Sequence, residues 1–393
     1  MRRYFEFFAG GGMARAGLTA AGAWRCRYAN DVDPEKAEIY RSNWGDAALQ
    51  LADVAAVAPG DLPGRADLVW ASFPCQDLSL AGGGGGLGGR RSSAFWPFWR
   101  LMRALREEGR GPKLIALENV CGAMSSAGGR DFAALIEAFA ALDYSVGAVV
   151  IDAAHFVPQS RPRLFVIGAA PEIAPGVDLG AGVDAAIRAD PDPLWHPAAL
   201  RRAVRELPSQ ARARWVWWRL PEPPRRNTKL DDLLEPDGAP IPWRSPAQTQ
   251  ALLSLMAPGH RDRIEAARGA GGAVRGTVFR RTRRGPEGRS LQRAEVRFDG
   301  VAGCLRTPAG GSSRQTLIEV RGPSVRTRLL TPRETARLMG LDDDFALPRR
   351  ATAAYHLTGD GVAAPVVRWL ADRLFEPLLA AEPQGGAGVI AAE

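Results

Sequence analysis

Phe73-Pro74-Cys75-Gln76 is the stretch of this chain with the clearest chemical potential. It follows the apolar run Asp67 to Ser72 and precedes Asp77 to Ala81 and five consecutive glycines, Gly82 to Gly86. A strand that ends on a cysteine and gives way to a glycine-rich loop presents a sulfur nucleophile where open α/β sheets bind ligands, outside the carboxyl ends of their strands. A thiolate is nucleophilic even at its small population near neutral pH. The competing assignment is a buried structural cysteine, because free cysteine is among the most buried residue types. Glu118-Asn119-Val120 ends the run that starts at Lys113. A carboxyl at a buried strand end can be held protonated and donate a proton or hydrogen bond; a helix cap is the alternative. Gln159-Ser160-Arg161-Pro162-Arg163 precedes the run Leu164 to Gly168. Alternate arginines on an extended segment point to one face, with a solvated sheet edge as the alternative.

A second group of residues suits a nucleotide-like cofactor. Phe8-Ala9-Gly10-Gly11-Gly12 lies between a strand-like run and a helical pattern, where glycines let backbone approach a ligand at a helix N-terminus. Asp31 ends the next strand, 19 residues after Gly12, and an acidic side chain there can accept hydrogen bonds from ribose hydroxyls. Asp53 follows Leu49 to Ala52 at the end of a third strand. These features alone leave a dinucleotide and S-adenosylmethionine both open. The third glycine of the dinucleotide fingerprint is missing, with Arg15 in its place, and hydride transfer does not call for a nucleophile such as Cys75.

The elements that must hold these groups alternate. Strands are expected at Tyr4 to Phe8, Arg25 to Asn30, Asp67 to Ser72, Lys113 to Glu118, Tyr144 to Ile151 and Arg163 to Gly168. Helices are expected at Met13 to Ala21, Pro34 to Trp44, Ala94 to Glu108 and Asp131 to Leu142. Such alternation predicts an α/β, Rossmann-like fold with a mostly parallel sheet. Residues 171–327 are rich in proline, glycine, tryptophan and arginine without sustained periodicity, and read as a smaller loop-rich domain with short strands at Arg293 to Phe298 and Gln315 to Val320. Residues 328–380 return to regular structure. Thr331-Pro332-Arg333-Glu334 is an N-cap signature, and Gly361 to Leu379 a last helix. Residues 381–393 read as a tail.

The chain has 393 residues and a net charge of +8, with only three lysines, Lys36, Lys113 and Lys229. Arginines crowd between Arg261 and Arg328, the electrostatic footprint of a phosphate backbone. The four cysteines form no C-x-x-C pair, which argues against a zinc ribbon or disulfide scaffold and fits a reducing cytoplasm. No segment reads as a secretory signal or membrane span. The Trp215, Trp217 and Trp218 cluster reads as core rather than a stacking platform.

Taken in order, the glycine loop, Phe73-Pro74-Cys75-Gln76, Glu118-Asn119-Val120, Gln159 to Arg163, Arg328 to Glu334 and Gly359-Asp360-Gly361-Val362 resemble the DNA (cytosine-5) methyltransferase family, over most of the chain from Tyr4 to about Leu379. The resemblance implies that Phe8, Gly10 and Gly12 cradle S-adenosylmethionine and that Asp31 holds its ribose. Val32 would lie against the adenine and Asp53 would hold its amino group, with Pro74, Asp360 and Val362 completing the site. Cys75 becomes the nucleophile; Glu118 and Arg163 hold the target cytosine, with Arg161 nearby. Residues 1–170 become the catalytic domain and 171–327 the target recognition domain. Gln76, Ser79, Arg306, Ser312, Ser313 and Arg314 become DNA contacts. Two positions depart from the family pattern: Asp360 stands where asparagine is usual, and Cys304 where threonine is.

The implied partners are double-stranded DNA and a cognate restriction endonuclease, with a monomeric enzyme. The alternatives are an RNA (tRNA) cytosine-5 methyltransferase of the same fold, a catalytically silent DNA-binding protein, and an NAD-dependent enzyme.

Overall fold

In the computed structural model, which describes residues 1–74, 94–173, 187–188, 190–284, 289–307 and 314–380, aromatic and aliphatic runs form a seven-stranded sheet. Its strands are β1 (Arg2–Phe7), β2 (Trp24–Asp31), β3 (Leu49–Leu51), β4 (Leu68–Ala71), β5 (Leu114–Val120), β6 (Ser145–Asp152) and β7 (Pro162–Ala169), in the order 3-2-1-4-5-7-6. Pairing is parallel from β3 through β5, while β7 runs antiparallel to both β5 and β6. The strand order reverses between β1 and β4. That reversal opens a crevice at the strand ends, the place where such sheets bind ligands.

Four helices cover the sheet: α1 (Met13–Ala20), α2 (Pro34–Trp44), α3 (Phe95–Glu107) and α4 (Arg130–Ala140). The central strands can be apolar throughout because both faces are covered; all of β4 is buried. On one face Tyr4, Trp24 and Trp70 pack with Leu370 and Phe375 from the C-terminal helices. On the other, Phe5, Phe7, Phe98, Trp99 and Phe139 form a second core. α2 starts where the sequence predicts. Pro34 occupies the first turn, and the Asp33 side chain accepts from the backbone N–H groups of Glu35 and Lys36.

The middle of the chain is more regular than its composition suggests. It holds α5 (Ala198–Arg205), α6 (Ser209–Arg212), α7 (Pro246–Ser254) and α8 (Pro258–Arg268). A two-residue pair joins β8 (Ile187–Arg188) to β9 (Trp217–Trp218). An antiparallel sheet follows, ordered 11-10-12-13, from β10 (Ala273–Arg284), β11 (Ser290–Arg297), β12 (Thr316–Arg321) and β13 (Ser324–Leu329). Val278, Ala294, Val296, Ile318 and Val320 on this sheet pack against Leu252, Met256 and Ile264 in a separate small core. Trp218 is fully buried and its indole N–H donates to the Ile167 carbonyl at 3.2 Å.

The C-terminal stretch returns to the first sheet. Thr331 caps α9 (Pro332–Arg337) in a capping box with Glu334. The Glu334 carboxylate accepts from both terminal guanidinium nitrogens of Arg328, at 2.7 and 2.6 Å, in a buried bidentate pair. α10 (Ala351–Asp360) follows. The expected last helix begins at Ala364 rather than Gly361, as α11 (Ala364–Leu370), and continues through a wider turn at 371–375 into α12 (Glu376–Ala380). No helix among the described residues is long and apolar enough to cross a membrane.

Candidate active site

The crevice at the end of β1 leads into one large cavity of about 1090 Å³. Its first wall is the glycine loop. Phe8 adopts φ 56°, in the left-handed region, although it is not glycine; such backbone strain concentrates at ligand sites. Gly12 has φ 79°, and a Cβ there would stand 2.3 Å from the Trp44 indole nitrogen, so only glycine lets α1 begin this close to α2. The Gly10 N–H donates to Asp31 Oδ2 at 2.7 Å and the Asp33 N–H to Asp31 Oδ1 at 2.8 Å. Asp31 therefore fixes both the loop and the start of α2 while its remaining lone pairs face the cavity. Beyond it, Val32 is 65% exposed, an open apolar surface that suits the face of an adenine. Asn30 donates to the carbonyls of Gln50 and Ala52, which sets the turn carrying Asp53.

The opposite wall is built on β4 and β5. Phe73 and Pro74 line the cavity, and the Asn119 amide donates to the Phe73 carbonyl at 3.2 Å. Glu118 and Arg163 are diagonal neighbours on paired strands, with Arg163 Nε 3.1 Å from Glu118 Oε1 in a largely buried ion pair. Cys75, Gln76, Ser79, Ser312 and Ser313 lie outside the described residues. The position of Pro74 brings the backbone to the cavity one residue before Cys75.

Residues from the middle of the chain close the third side. Arg280, Arg281, Arg297 and Arg306 line the cavity, with Cys304 between them and Arg161. Burial pushes the Cys304 thiol up, but the guanidinium groups of Arg161, Arg163 and Arg306 outweigh this and hold it below the usual range. The expected site residues Phe8, Gly10, Asp31, Val32, Asp53, Pro74, Glu118, Arg163, Arg306, Asp360 and Val362 all share this cavity.

Three expected residues do not line it. Gly12 is spent on the close approach of α1 to α2. Arg314 stacks on Tyr355, 5.2 Å from its ring centre, beside a small separate recess. Arg161 is buried behind the wall, where Nη1 donates to the Leu305 carbonyl and Nη2 to the carbonyls of Gly359 and Gly361. There it braces distant segments and does not line the cavity. The arginine crowd is also divided. Arg275, Arg281, Arg283 and Arg326 pair with carboxylates of their own sheet, Arg297 with Asp299, and Arg328 is buried on Glu334.

Glu6 is a site residue that motif reading passes over. It sits in the middle of β1, only 1% exposed, and still borders the cavity. Burial raises its carboxyl to about 8, despite Arg15, while the Asp31 charge adds to the rise. Its Oε2 is buried without a hydrogen-bond partner. A protonated carboxyl at the base of the glycine loop with one unpartnered oxygen fits a cofactor that brings polar groups able to hydrogen-bond it.

Folding therefore favours the protonated carboxyl. Stability conferred on the uncharged form is complete below the unfolded-state value and is lost as pH rises towards about 8. Glu6→Gln should remove that slope, at most about 1.4 kcal/mol per pH unit. Thermal unfolding of the two proteins from pH 5 to 9 checks it; parallel curves would reject the assignment.

Comparison with known proteins decides the family. The sequence profile of C-5 cytosine-specific DNA methylases matches residues 2–376. The chain belongs to that family, and with it to the DNA (cytosine-5)-methyltransferases. It is 26% identical over 372 residues to the type II methyltransferase M.HhaI of Haemophilus parahaemolyticus, covering 94% of this chain and 93% of the relative. Type II methyltransferase M.NlaX of Neisseria lactamica is 25% identical over 376 residues, with coverage of 95% and 96%. The fold is similar to that of the S. pombe Dnmt2 methyltransferase, with a TM-score of 0.58, 16% identity and coverage of 96% and 99%.

Proposed function

We propose that this methyltransferase acts on cytosine in duplex DNA, in a sequence-specific context, with S-adenosylmethionine as methyl donor. The observation that carries the reading is the shared cavity: the glycine loop and Asp31 line it together with the Glu118–Arg163 pair. A methyl donor and a base placed there would meet. When bound, the cofactor would supply an electrophilic methyl group on a sulfonium, the sulfur–methyl bond breaking as the methyl is taken and S-adenosylhomocysteine leaving. Asp31 would hold its ribose, Val32 would cover its adenine, and Glu6 would hydrogen-bond its polar end.

The chain's own residues then handle the base. A stacked base cannot reach the cavity, so the cytosine is flipped out, at about a few kcal/mol. The Cys75 thiolate adds to C6; the S–C6 bond forms and the C5=C6 electrons move into the ring. Glu118, carrying a proton once the base is seated, gives it to N3 as that charge develops, and its ion pair with Arg163 re-forms on the carboxylate left behind. C5 is now electron-rich enough to take the methyl group. Removal of the C5 proton by a base, return of the N3 proton and breakage of the S–C6 bond release 5-methylcytosine and the free thiolate.

Arg280, Arg281, Arg297 and Arg306 line the same cavity, Arg281 and Arg297 while paired with Glu295 and Asp299, and would meet nucleic-acid phosphates there; the preference for duplex DNA over RNA rests on the family and on the long basic stretch from Arg261 to Arg328. Replacing Arg280, Arg281 and Arg297 together by alanine should weaken duplex binding and lower the log–log salt slope by about 0.9 for each phosphate that no longer meets a guanidinium. Fluorescence titration across a salt series measures it, and an unchanged slope would make these arginines a solvated face.

The type II names of the relatives extend the proposal to a cognate restriction endonuclease. Bisulfite sequencing of plasmid DNA after expression tests the reading and reveals the sequence context. Protected cytosines in one context support it. Unmodified DNA with 5-methylcytosine appearing in tRNA would transfer the activity to RNA.

A further inference from the structure

One carboxylate joins the cofactor wall to the segment that carries Arg306. Asp360, the last residue of α10, accepts a hydrogen bond on Oδ1 from the Thr307 hydroxyl. Its Oδ2 receives the Lys36 ammonium at 2.8 Å. Lys36 lies in the first turn of α2, and all three residues line the cavity. Lys36 faces Asp31 and Asp33 as well as Asp360. Burial opposes its charge, and these carboxylates outweigh that, so the ammonium stays above its usual range.

Around this contact the two segments pack closely. Gly359 has no room for a side chain: a Cβ would stand 2.5 Å from the Arg306 carbonyl carbon and the Thr307 nitrogen. From the buried side, Arg161 ties Leu305 to Gly359 and Gly361, and the Leu305 N–H donates to Gln159 Oε1 at 3.0 Å. Thr307 is the point at which the segment is held from the solvent side. The Lys36 and Asp360 side chains are about a quarter and a third exposed, where an ion pair contributes little to stability; its consequence is positional. An asparagine at 360 would still accept from Thr307, but it would not present a charge to Lys36.

We propose that Lys36, Asp360 and Thr307 form a bridge that positions the segment 304–307 against the cofactor wall, so that duplex DNA and cofactor each tighten the binding of the other. This rests on the reading of the cavity as a shared S-adenosylmethionine and DNA site. A phosphate that engages Arg306 fixes its neighbour Thr307, and through Asp360 this fixes Lys36 beside Asp31, where the ribose is held. The reverse follows by linkage, because the coupling is reciprocal. Thr307 and Lys36 are in this sense positioning residues.

The test is calorimetric titration of the full-length protein with S-adenosylhomocysteine, alone and with a saturating duplex that carries the methylated context. The wild type should bind it at least about fivefold more tightly in the presence of DNA. Thr307→Val should bind it without DNA within about twofold of wild type and lose most of the enhancement, while Thr307→Ser restores it. Asp360→Asn should retain part of the enhancement and lose its dependence on Lys36, shown by additivity failing in the wild-type background and holding in the Asp360→Asn background when Lys36→Met is combined with Thr307→Val. Full enhancement in Thr307→Val, or none in the wild type, overturns the bridge. Failure of the wild type to bind S-adenosylhomocysteine at all overturns the cofactor assignment, and the bridge with it.

Discussion

Cys75→Ser will lower methyl transfer to duplex DNA by about a thousandfold or more, equivalent to about 4 kcal/mol of lost transition-state stabilisation. The reason is chemical. Cytosine C5 does not attack a methyl group unless C6 has first been loaded with a nucleophile. A serine hydroxyl is far less ionised than a thiol near neutral pH and a weaker nucleophile toward a soft carbon centre. Cofactor affinity should stay within about twofold, because the residues that would hold it, the glycine loop, Asp31 and Val32, are unchanged. Two measurements separate the outcomes: tritium transfer from labelled cofactor to duplex DNA, and calorimetric titration of the cofactor. Activity near the wild-type level would remove Cys75 from the mechanism. Loss of cofactor binding in parallel would make it a structural residue of the cavity. A flipped base retained by the serine variant would show as slow DNA release, a signature the alanine variant should share.

The elements of the large sheet were legible for a physical reason. Strands covered on both faces must be largely apolar, so β4 and the first four residues of β5 stand out as uninterrupted runs. α2 was legible down to its boundaries because Asp33 and Pro34 mark its start and Gly45 its end. The middle of the chain hid its structure for the opposite reason. β10 reads Ala-Val-Arg-Gly-Thr-Val-Phe-Arg-Arg-Thr-Arg-Arg, and only part of it meets the small core of the antiparallel sheet, so few apolar positions mark it. α8 buries only Ile264 and Ala267 and is otherwise polar, which leaves almost no periodicity to detect.

The candidate site was legible where a residue's role depends on its place at a strand end, and illegible where it depends on packing. Asp31, Asp53 and Glu118 follow from the ends of β2, β3 and β5. Glu6 does not, because one acidic residue within Tyr-Phe-Glu-Phe-Phe looks like noise until its burial is seen. Lys36 and Thr307 are 271 residues apart in a chain whose fold brings both to Asp360, a contact that local spacing cannot reveal. The alternation argument for Arg161 and Arg163 failed on a detail: β7 begins at Pro162, so Arg161 lies before the strand and the period-two rule does not reach it.

That displaced arginine leads to the second large effect, on stability. Arg161→Met should destabilise the protein by about 3–5 kcal/mol. The guanidinium serves the buried carbonyls of Leu305, Gly359 and Gly361 and lies 3.5 Å from the Cys304 sulfur. A methionine fills similar space but donates nothing, and each buried acceptor left unmet costs about 1–3 kcal/mol. The total falls below the simple sum because the three carbonyls share one cavity and can relax together. Arg161→Lys should recover only part of the loss, since one ammonium cannot present the planar fork that reaches 305 and 359–361 at once. Urea unfolding gives the magnitude, and hydrogen exchange should locate the opening at 302–307 and 359–361. Had Arg161 held the target base, the variant would lose kcat/KM while its unfolding midpoint and exchange pattern stayed with the wild type. A fall in midpoint with faster exchange in those two segments assigns the arginine to the brace, and activity is then lost because the wall that carries Cys304 and Arg306 no longer stands opposite the cofactor.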